Sequence, residues 1–359
     1  MRILIVSDAW RPQVNGVVRT LSTVQAELQI MGHAVEVIGP DRFRTIPCPT
    51  YPEIRLALLP HRRLSRLIDA FGPQAIHIAT EGPLGMAARR YCLRRRLPFT
   101  TAYHTRFPEY VRARLLFPPA WTYAILRRFH GRSAGVMVAT RSIRADLEAR
   151  GFANIRDWTR GVDLELFHPS RKRPTDLAHP VFAFVGRVAV EKNIEAFLAL
   201  DLPGAKLVVG DGPQLETLKR RYPKVHFVGA HKGEALAAWF AAADVFVFPS
   251  RTDTFGLVML EALASGLPVA AYPVPGPIDV VTDPKAGVLH EDLRLAALRC
   301  LQLSPVDART HAETYSWRRT AEMFLENLAP VRRDVATESP HPEERAPASV
   351  SKDMQRVAR

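Results

Sequence analysis

The chain has 359 residues, room for two domains of about 150 residues each, and its 47% apolar and 24% charged content is that of a globular protein rather than a disordered one. The formal net charge of +13 is uneven: residues 1–165 carry 25 arginines, no lysine and 13 acidic residues. No apolar run approaches the roughly 18 residues of a membrane span, and three distant cysteines without a C-x-x-C suggest neither a disulfide framework nor a zinc site and point to a reducing setting.

In chain order, "RILIV" (2–6) reads as a buried parallel strand. The opening "MRILIVSDAW" is not read as a signal peptide, because its apolar run is short and no small-residue cleavage site follows. A helix is expected from about Val17 to Met31, with Gly32 as its C-cap glycine. Strands follow at 34–39, 75–79, 98–104 and 135–140, with helices between. The stretch 165–180, rich in Pro and charge, breaks the pattern and reads as a linker. Strands then recur at 181–186, 206–210, 225–229, 244–250 and 268–272. Strands alternating with helices are the signature of doubly wound parallel sheets. The expected architecture is α/β, with two tandem doubly wound domains facing across a cleft: 1–165, a linker 166–180, then 181–312. An amphipathic helix at 313–330 and a disordered tail, 331–359, complete the chain.

Ligands of such sheets bind outside the strand carboxyl ends. After the strand at 181–186 comes "GRVAVEKNIE", whose Arg187 and Lys192 can converge on an anion. After 206–210 comes "GDGP", whose two glycines allow backbone to approach a ligand, or form a plain strand-to-helix turn. After 244–250 comes "RTDTFGLVMLEALASG", in which seven residues separate Asp253 from Glu261. Here the uncapped amides of a helix starting near Leu257 form an anion site, with Gly256 keeping the approach open. Neither carboxylate shows a setting that would raise its pKa, so the two read as hydroxyl-binding groups rather than an acid and a base. In the first half, Asn15 and Gly16 make a turn at another helix N-terminus aimed at the cleft, and His104 stands at a strand end beside Arg106 and Glu109. No D-x-D and no H-x-x-x-H spacing occurs, so no protein-held metal is expected. Arginine clusters at 61–66, 89–96, 106–114 and 127–132, interleaved with Leu, Phe, Trp and Tyr, suit an anionic membrane better than nucleic acid; a solvated surface is the plainer reading.

Together these loops resemble the GT-B retaining glycosyltransferases of the group 1 type. The most specific features are the acid-x7-acid motif with Phe255–Gly256 after the first acid, the "GR…EKN" loop and the N-terminal "NGV" turn. The stretches 39–56, 79–85 and 103–110 resemble the glycolipid branch, with its sulfolipid synthases, diacylglycerol glycosyltransferases and phosphatidylinositol mannosyltransferases. The resemblance implies that Arg187 and Lys192 hold the donor diphosphate and that Glu261 binds the ribose. It implies that Asp253 binds the transferred sugar, that Phe255, Gly256 and Leu257 offer backbone contacts, and that Gly16 lies against the phosphates. Asp211 is counted with the donor contacts, and His104 with Arg187, Lys192 and Asp253 at the reacting sugar. Asp253 departs from the family, which usually has Glu there; its side chain is one methylene shorter, so the sugar must sit closer or the loop must shift.

The activity so implied is metal-independent, retaining transfer of a hexosyl or uronosyl unit from a nucleoside-diphosphate sugar to a lipid hydroxyl, diacylglycerol first. Arg94, Arg95, Arg96, Arg112 and Arg114 are the candidate acceptor-side and membrane-side cations. No cofactor and no nucleic acid partner is expected, and the expected location is the cytoplasmic face of the plasma membrane. Assembly of a carrier-linked surface glycan uses the same donor site and is the alternative; a non-catalytic basic binding module is a remote one.

Overall fold

The computed structural model describes residues 1–13, 15–48, 51–104, 119–172, 174–253 and 255–331. Arg106, Glu109, Arg112, Arg114 and the tail beyond Val331 therefore lie outside the described residues.

The first half builds β1 (Arg2–Val6), β2 (Ala34–Ile38), a hairpin of β3 (Thr45–Cys48) and β4 (Tyr51–Ala57), then β5 (Ala75–Ile78), β6 (Thr100–Tyr103), β7 (Gly135–Val138) and β8 (Ile155–Asp157). Apart from the hairpin, these strands form one parallel sheet in the order β2-β1-β5-β6-β7-β8. The second half repeats the plan with β9 (Val181–Val185), β10 (Ala205–Val209), β11 (His226–Gly229), β12 (Val245–Phe248), β13 (Val269–Ala271) and β14 (Gly287–Leu289). Its order is β11-β10-β9-β12-β13-β14, again parallel. Helices cover both faces, so β5, β6, β7, β9, β12 and β13 are buried along their whole length, and β7, β9, β12 and β13 read as continuous apolar runs rather than alternations. Each sheet reverses its winding beside its first strand, β1 or β9, and the crevice that holds ligands opens there at the carboxyl ends.

Two edge strands and the hairpin escape sequence reading. β8 is "IRD" and β14 "GVL", too short to show a period; the hairpin carries Pro47 and Pro52, which argue against strands. The 166–180 connection holds one short 3-10 turn, Pro169–Arg171, while Val162 and Phe167 already pack in the second core.

The chain then returns. The Pro305–Glu313 helix packs on the second core through Ala308 and Ala312. The Trp317–Asn327 helix crosses to the first half, where Trp317, Ala321 and Phe324 pack with Val18, Leu21 and Val24 of the Gly16–Ile30 helix. The crossing is tight: a Cβ on Gly161 would lie 2.4 Å from the Trp317 nitrogen. Among the described residues, no helix is long and apolar enough to cross a membrane.

Candidate active site

Three strand-end loops of the second half are stitched together. The loop after β9 and the loop after β10 exchange backbone bonds, Val188 N–H to Asp211 O at 2.9 Å and Gln214 N–H to Val188 O at 3.1 Å. A Cβ on Gly210 would sit 1.8 Å from the Gly186 oxygen, and one on Gly212 2.4 Å from the Val188 oxygen. Close loop-to-loop contact is by itself enough to require glycine at both positions. Asp211 is exposed, and its carboxylate accepts from the Gly212 N–H at 2.6 Å, a local turn contact. Arg187 is exposed at the start of the β9 loop. At the other end, the Val190–Lys192 3-10 turn runs into Asn193, left-handed at φ 51°, whose Nδ2 donates to Pro249 O at the end of β12. Lys192 is thereby held over the β12 loop, with its Nζ 2.5 Å from Asp253 Oδ1. Among the described residues, Asp253 Oδ2 and the Ser250 hydroxyl are buried without a hydrogen-bond partner.

The helix after β12 spans Leu257–Ala264 and has no side-chain cap, because Gly256 occupies the N-cap at φ 81°. A Cβ on Gly256 would meet the Met259 methyl at 2.8 Å and the Phe248 ring at 3.1 Å, so the helix entry and the core already require glycine here. Phe255 is buried in the second core, which leaves only its backbone for a ligand. Met259 through Ala264 are all buried, and Glu261 is only 4% exposed.

The expectation that nothing raises the Glu261 pKa is corrected here. Burial pushes it up, and the Arg19 guanidinium, bonded to Glu261 Oε1, opposes that rise. Arg19 comes from the first turns of the Gly16–Ile30 helix, across the cleft. Beside this contact, the Cβ position of Gly16 lies 3.8 Å from Leu257 Cδ1, so two helix starts from opposite halves abut. They are not equivalent: Asn15 Oδ1 accepts from the Val17 and Val18 N–H groups at 3.0 Å each, which satisfies donors that the sequence reading had left for an anion. Sequence reasoning passed over Arg19. A signal existed, because a cation near a helix N-terminus opposes the macrodipole and wants a carboxylate from elsewhere. A second missed link is Asp279 in the second half, whose Oδ1 accepts from Ser142 N–H at 3.0 Å, at the start of the Arg141–Ala149 helix in the first.

On the opposite wall, His104 follows β6 at its carboxyl edge. Arg160 Nη2 lies 3.3 Å from its Nδ1, and Trp158 meets it edge-on at 5.7 Å. Burial, the Arg160 cation and His77 together hold the His104 pKa well below the usual histidine value. The cleft thus gathers Gly16, Arg19, Phe255, Gly256, Leu257 and Glu261 at the junction of the halves, with Lys192 and Asp253 in the adjoining loop. Arg94, Arg95 and Arg96 lie elsewhere, exposed at the end of the Pro83–Arg94 helix. Arg95 is committed to Asp69 through bonds of 2.8 and 3.0 Å, so it is a weaker membrane cation than its neighbours.

Two tandem Rossmann-like halves with an acid-x7-acid helix and a cationic loop at the crevice define a GT-B glycosyltransferase architecture. The description "Glycosyltransferase Family 4" matches residues 14–166 and "Glycosyl transferases group 1" matches residues 179–303. A GDP-mannose-dependent alpha-mannosyltransferase of Mycobacterium tuberculosis is 31% identical over 317 residues, covering 80% of this chain and 83% of the relative. The sulfoquinovosyl transferase SQD2 of Arabidopsis thaliana is 34% identical over 80% of this chain and 62% of its own length. The alpha-monoglucosyldiacylglycerol synthase of Streptococcus pneumoniae is 27% identical over 85% of this chain and 79% of its own. Among solved structures, sucrose-phosphate synthase of Thermosynechococcus elongatus superposes with a TM-score of 0.71 at 21% identity, over 90% of this chain and 97% of that one, a likeness of fold. The chain belongs to the glycosyl transferase group 1 family, and it is an enzyme, a hexosyltransferase.

Proposed function

We propose that the protein transfers a hexosyl or uronosyl unit, with retention of anomeric configuration and without a metal, from a nucleoside-diphosphate sugar to a membrane lipid hydroxyl, diacylglycerol foremost. The observation that carries the reading is the state of the two acids. Among the described residues, Asp253 holds Lys192 with one oxygen and keeps its other oxygen buried without a partner, and Glu261 is buried against one guanidinium, that of Arg19. Buried carboxylate oxygens want donors, and the hydroxyls of a hexose and a ribose supply them. The same exchange frees Lys192 and Arg19 for the diphosphate between the two sugars, where Arg187 and the uncapped Leu257 helix start add positive potential. These groups stabilise the departing diphosphate where a metal would otherwise serve. Asp211 and Gly16 line the donor's approach, and His104 faces the transferred sugar.

The lipid acceptor is supported by the diacylglycerol product in the name of the streptococcal relative and by the surface of the first half. There the Pro119–His130 helix exposes Trp121 and Ile125, one turn apart. Arg89 bonds it to the Pro83–Arg94 helix, whose end carries Arg94 and Arg96. A basic helix pair with exposed Trp and Ile suits an anionic interface. The test is incubation of labelled UDP-glucose, UDP-galactose, UDP-glucuronate and GDP-mannose with vesicles of diacylglycerol and phosphatidylglycerol, followed by mass spectrometry and anomer assignment. A lipid product with retained configuration supports the reading; donor turnover that yields no glycolipid from any of the four donors removes the lipid acceptor.

A further inference from the structure

Arg160 presents an unusual setting. It is 4% exposed, and among the described residues it makes no salt bridge to a carboxylate. A buried guanidinium without a counter-charge is expensive, and burial lowers its pKa to about 9. Its donors are nonetheless placed. Nη1 reaches the carbonyls of Trp158 at 2.7 Å and Thr159 at 3.0 Å, Nη2 reaches His104 Nδ1 at 3.3 Å, and the guanidinium lies 4.3 Å over the Trp158 ring. Trp158 is itself fixed: its Nε1 donates to Thr320 O at 3.0 Å in the returning Trp317–Asn327 helix, and Phe324 of that helix packs against it at 5.1 Å.

A guanidinium has five N–H donors and no acceptor. Where Arg160 meets His104 Nδ1, that nitrogen must therefore supply a lone pair, and a neutral ring then carries its proton on Nε2. Protonating the ring would set an N–H against an N–H and a second positive charge beside the first. We infer that Arg160 is a positioning residue that locks His104 as a neutral imidazole with its proton on Nε2, a hydrogen-bond donor that neither switches to a cation nor accepts a proton at Nε2. This rests on the placing of His104 at the transferred sugar, where an Nε2–H group can donate to a sugar hydroxyl or to the departing oxygen.

Among the described residues, the charged or titratable groups facing His104 are Arg160, from the segment after β8, and His77, from β5. His77 adds no positive charge, because burial holds its pKa at about 3 and its Nδ1 pairs with the Thr100 hydroxyl at 2.9 Å. Beside burial, the larger cause, Arg160 is the described positive charge that holds His104 neutral. The returning helix, through Trp158, sets where that guanidinium lies, which ties the first-half wall of the site to the crossing that joins the halves.

The decisive measurement uses the unmodified protein, labelled with 15N-histidine and assigned with His104→Gln. The expected spectrum shows Nε2 protonated, Nδ1 bare and no titration of His104 between pH 5 and 8. A protonated Nδ1, or a ring that titrates near 6.5, overturns the inference. In Arg160→Gln burial still disfavours the cation, but with the neighbouring charge gone the ring should titrate at higher pH than in the unmodified protein, and Nδ1, no longer confined to accepting, should carry the proton in part of the population. Turnover, followed as donor hydrolysis, then acquires an acid limb that the unmodified enzyme does not show. Arg160→Lys, which keeps the charge, should leave the pH profile without that limb even if overall rate drops. A His104 spectrum unchanged in Arg160→Gln overturns the role of Arg160. If the ring titrates in Arg160→Gln but turnover gains no acid limb, the control of the ring stands and the placing of His104 at the sugar fails.

Discussion

Replacing Arg19 with Met tests whether the two halves are joined through a buried charge. Glu261 is almost wholly buried, and Arg19, 39% exposed at its side chain, is the cation bonded to it. A hydrogen bond to a charged group is worth about 1.5–3 kcal/mol net; partial exposure of Arg19 lets solvent screen some of it, so the loss should be about 1–2 kcal/mol at pH 7.5. The sign with pH follows from Glu261. Its folded pKa lies above the ordinary 4.5, so between those values the folded state binds more protons than the unfolded one, and stability falls as pH rises through that window. Arg19 is what restrains the rise. Without it the window reaches higher, by about one pH unit for each 1.36 kcal/mol lost, so Arg19→Met should differ from the parent at pH 7.5 and converge with it near pH 4.5. In the Glu261→Gln background, where no buried charge remains to be orphaned, the same replacement should cost close to nothing. Urea unfolding of the four proteins of this cycle at both pH values is the assay. Equal losses in both backgrounds, independent of pH, would refute a buried charge pair as the link.

Three further outcomes are expected. Lys192→Ala should weaken binding of UDP or GDP about tenfold by calorimetry, since a lost phosphate contact of roughly 1.5 kcal/mol is shared with the Asp253 pair already present; unchanged affinity would remove Lys192 from the diphosphate site. Gly256→Ala should cost about 2–3 kcal/mol in urea unfolding, from a left-handed φ of 81° at about 1–2 kcal/mol plus contact with the Phe248 ring at 3.1 Å; a loss under 0.5 kcal/mol would contradict the geometry. Gly210→Ala places a methyl 1.8 Å from a backbone oxygen that cannot rotate away. It should abolish folding or cost more than about 3 kcal/mol, and a folded variant of parental stability that had merely lost donor affinity would return this glycine to the ligand.

Much of the fold was legible because each signal was local. The apolar runs of β1, β9, β10 and β12 are what a strand buried on both faces requires, and the parallel repeat places their trailing loops on one side of each sheet. Lys192 and Asp253 could be picked from strand-end position and residue type. The chain by itself also placed Glu261 one turn into a helix, but the burial of that helix on every side lay outside any period, because helices from both halves enclose it. The packing around Gly210, Gly212 and Gly256 was not legible for a related reason: a glycine looks alike whether its missing Cβ makes room for a ligand, a neighbouring loop or a phenyl ring.

Sequence alone therefore settled two wound sheets, their strand-end loops, and a carboxylate pair spaced for a helix start. Tertiary structure alone decided which charges meet. Arg19 and Glu261 are separated by 242 residues, and Arg160 and His104 by 56, with β7 and β8 between. Charge pairing carries no period and no spacing, since it depends only on distance through space after the sheets have closed. The pKa of Glu261 and the proton state of His104 exist only once burial removes water from around them and a guanidinium from another segment arrives beside them.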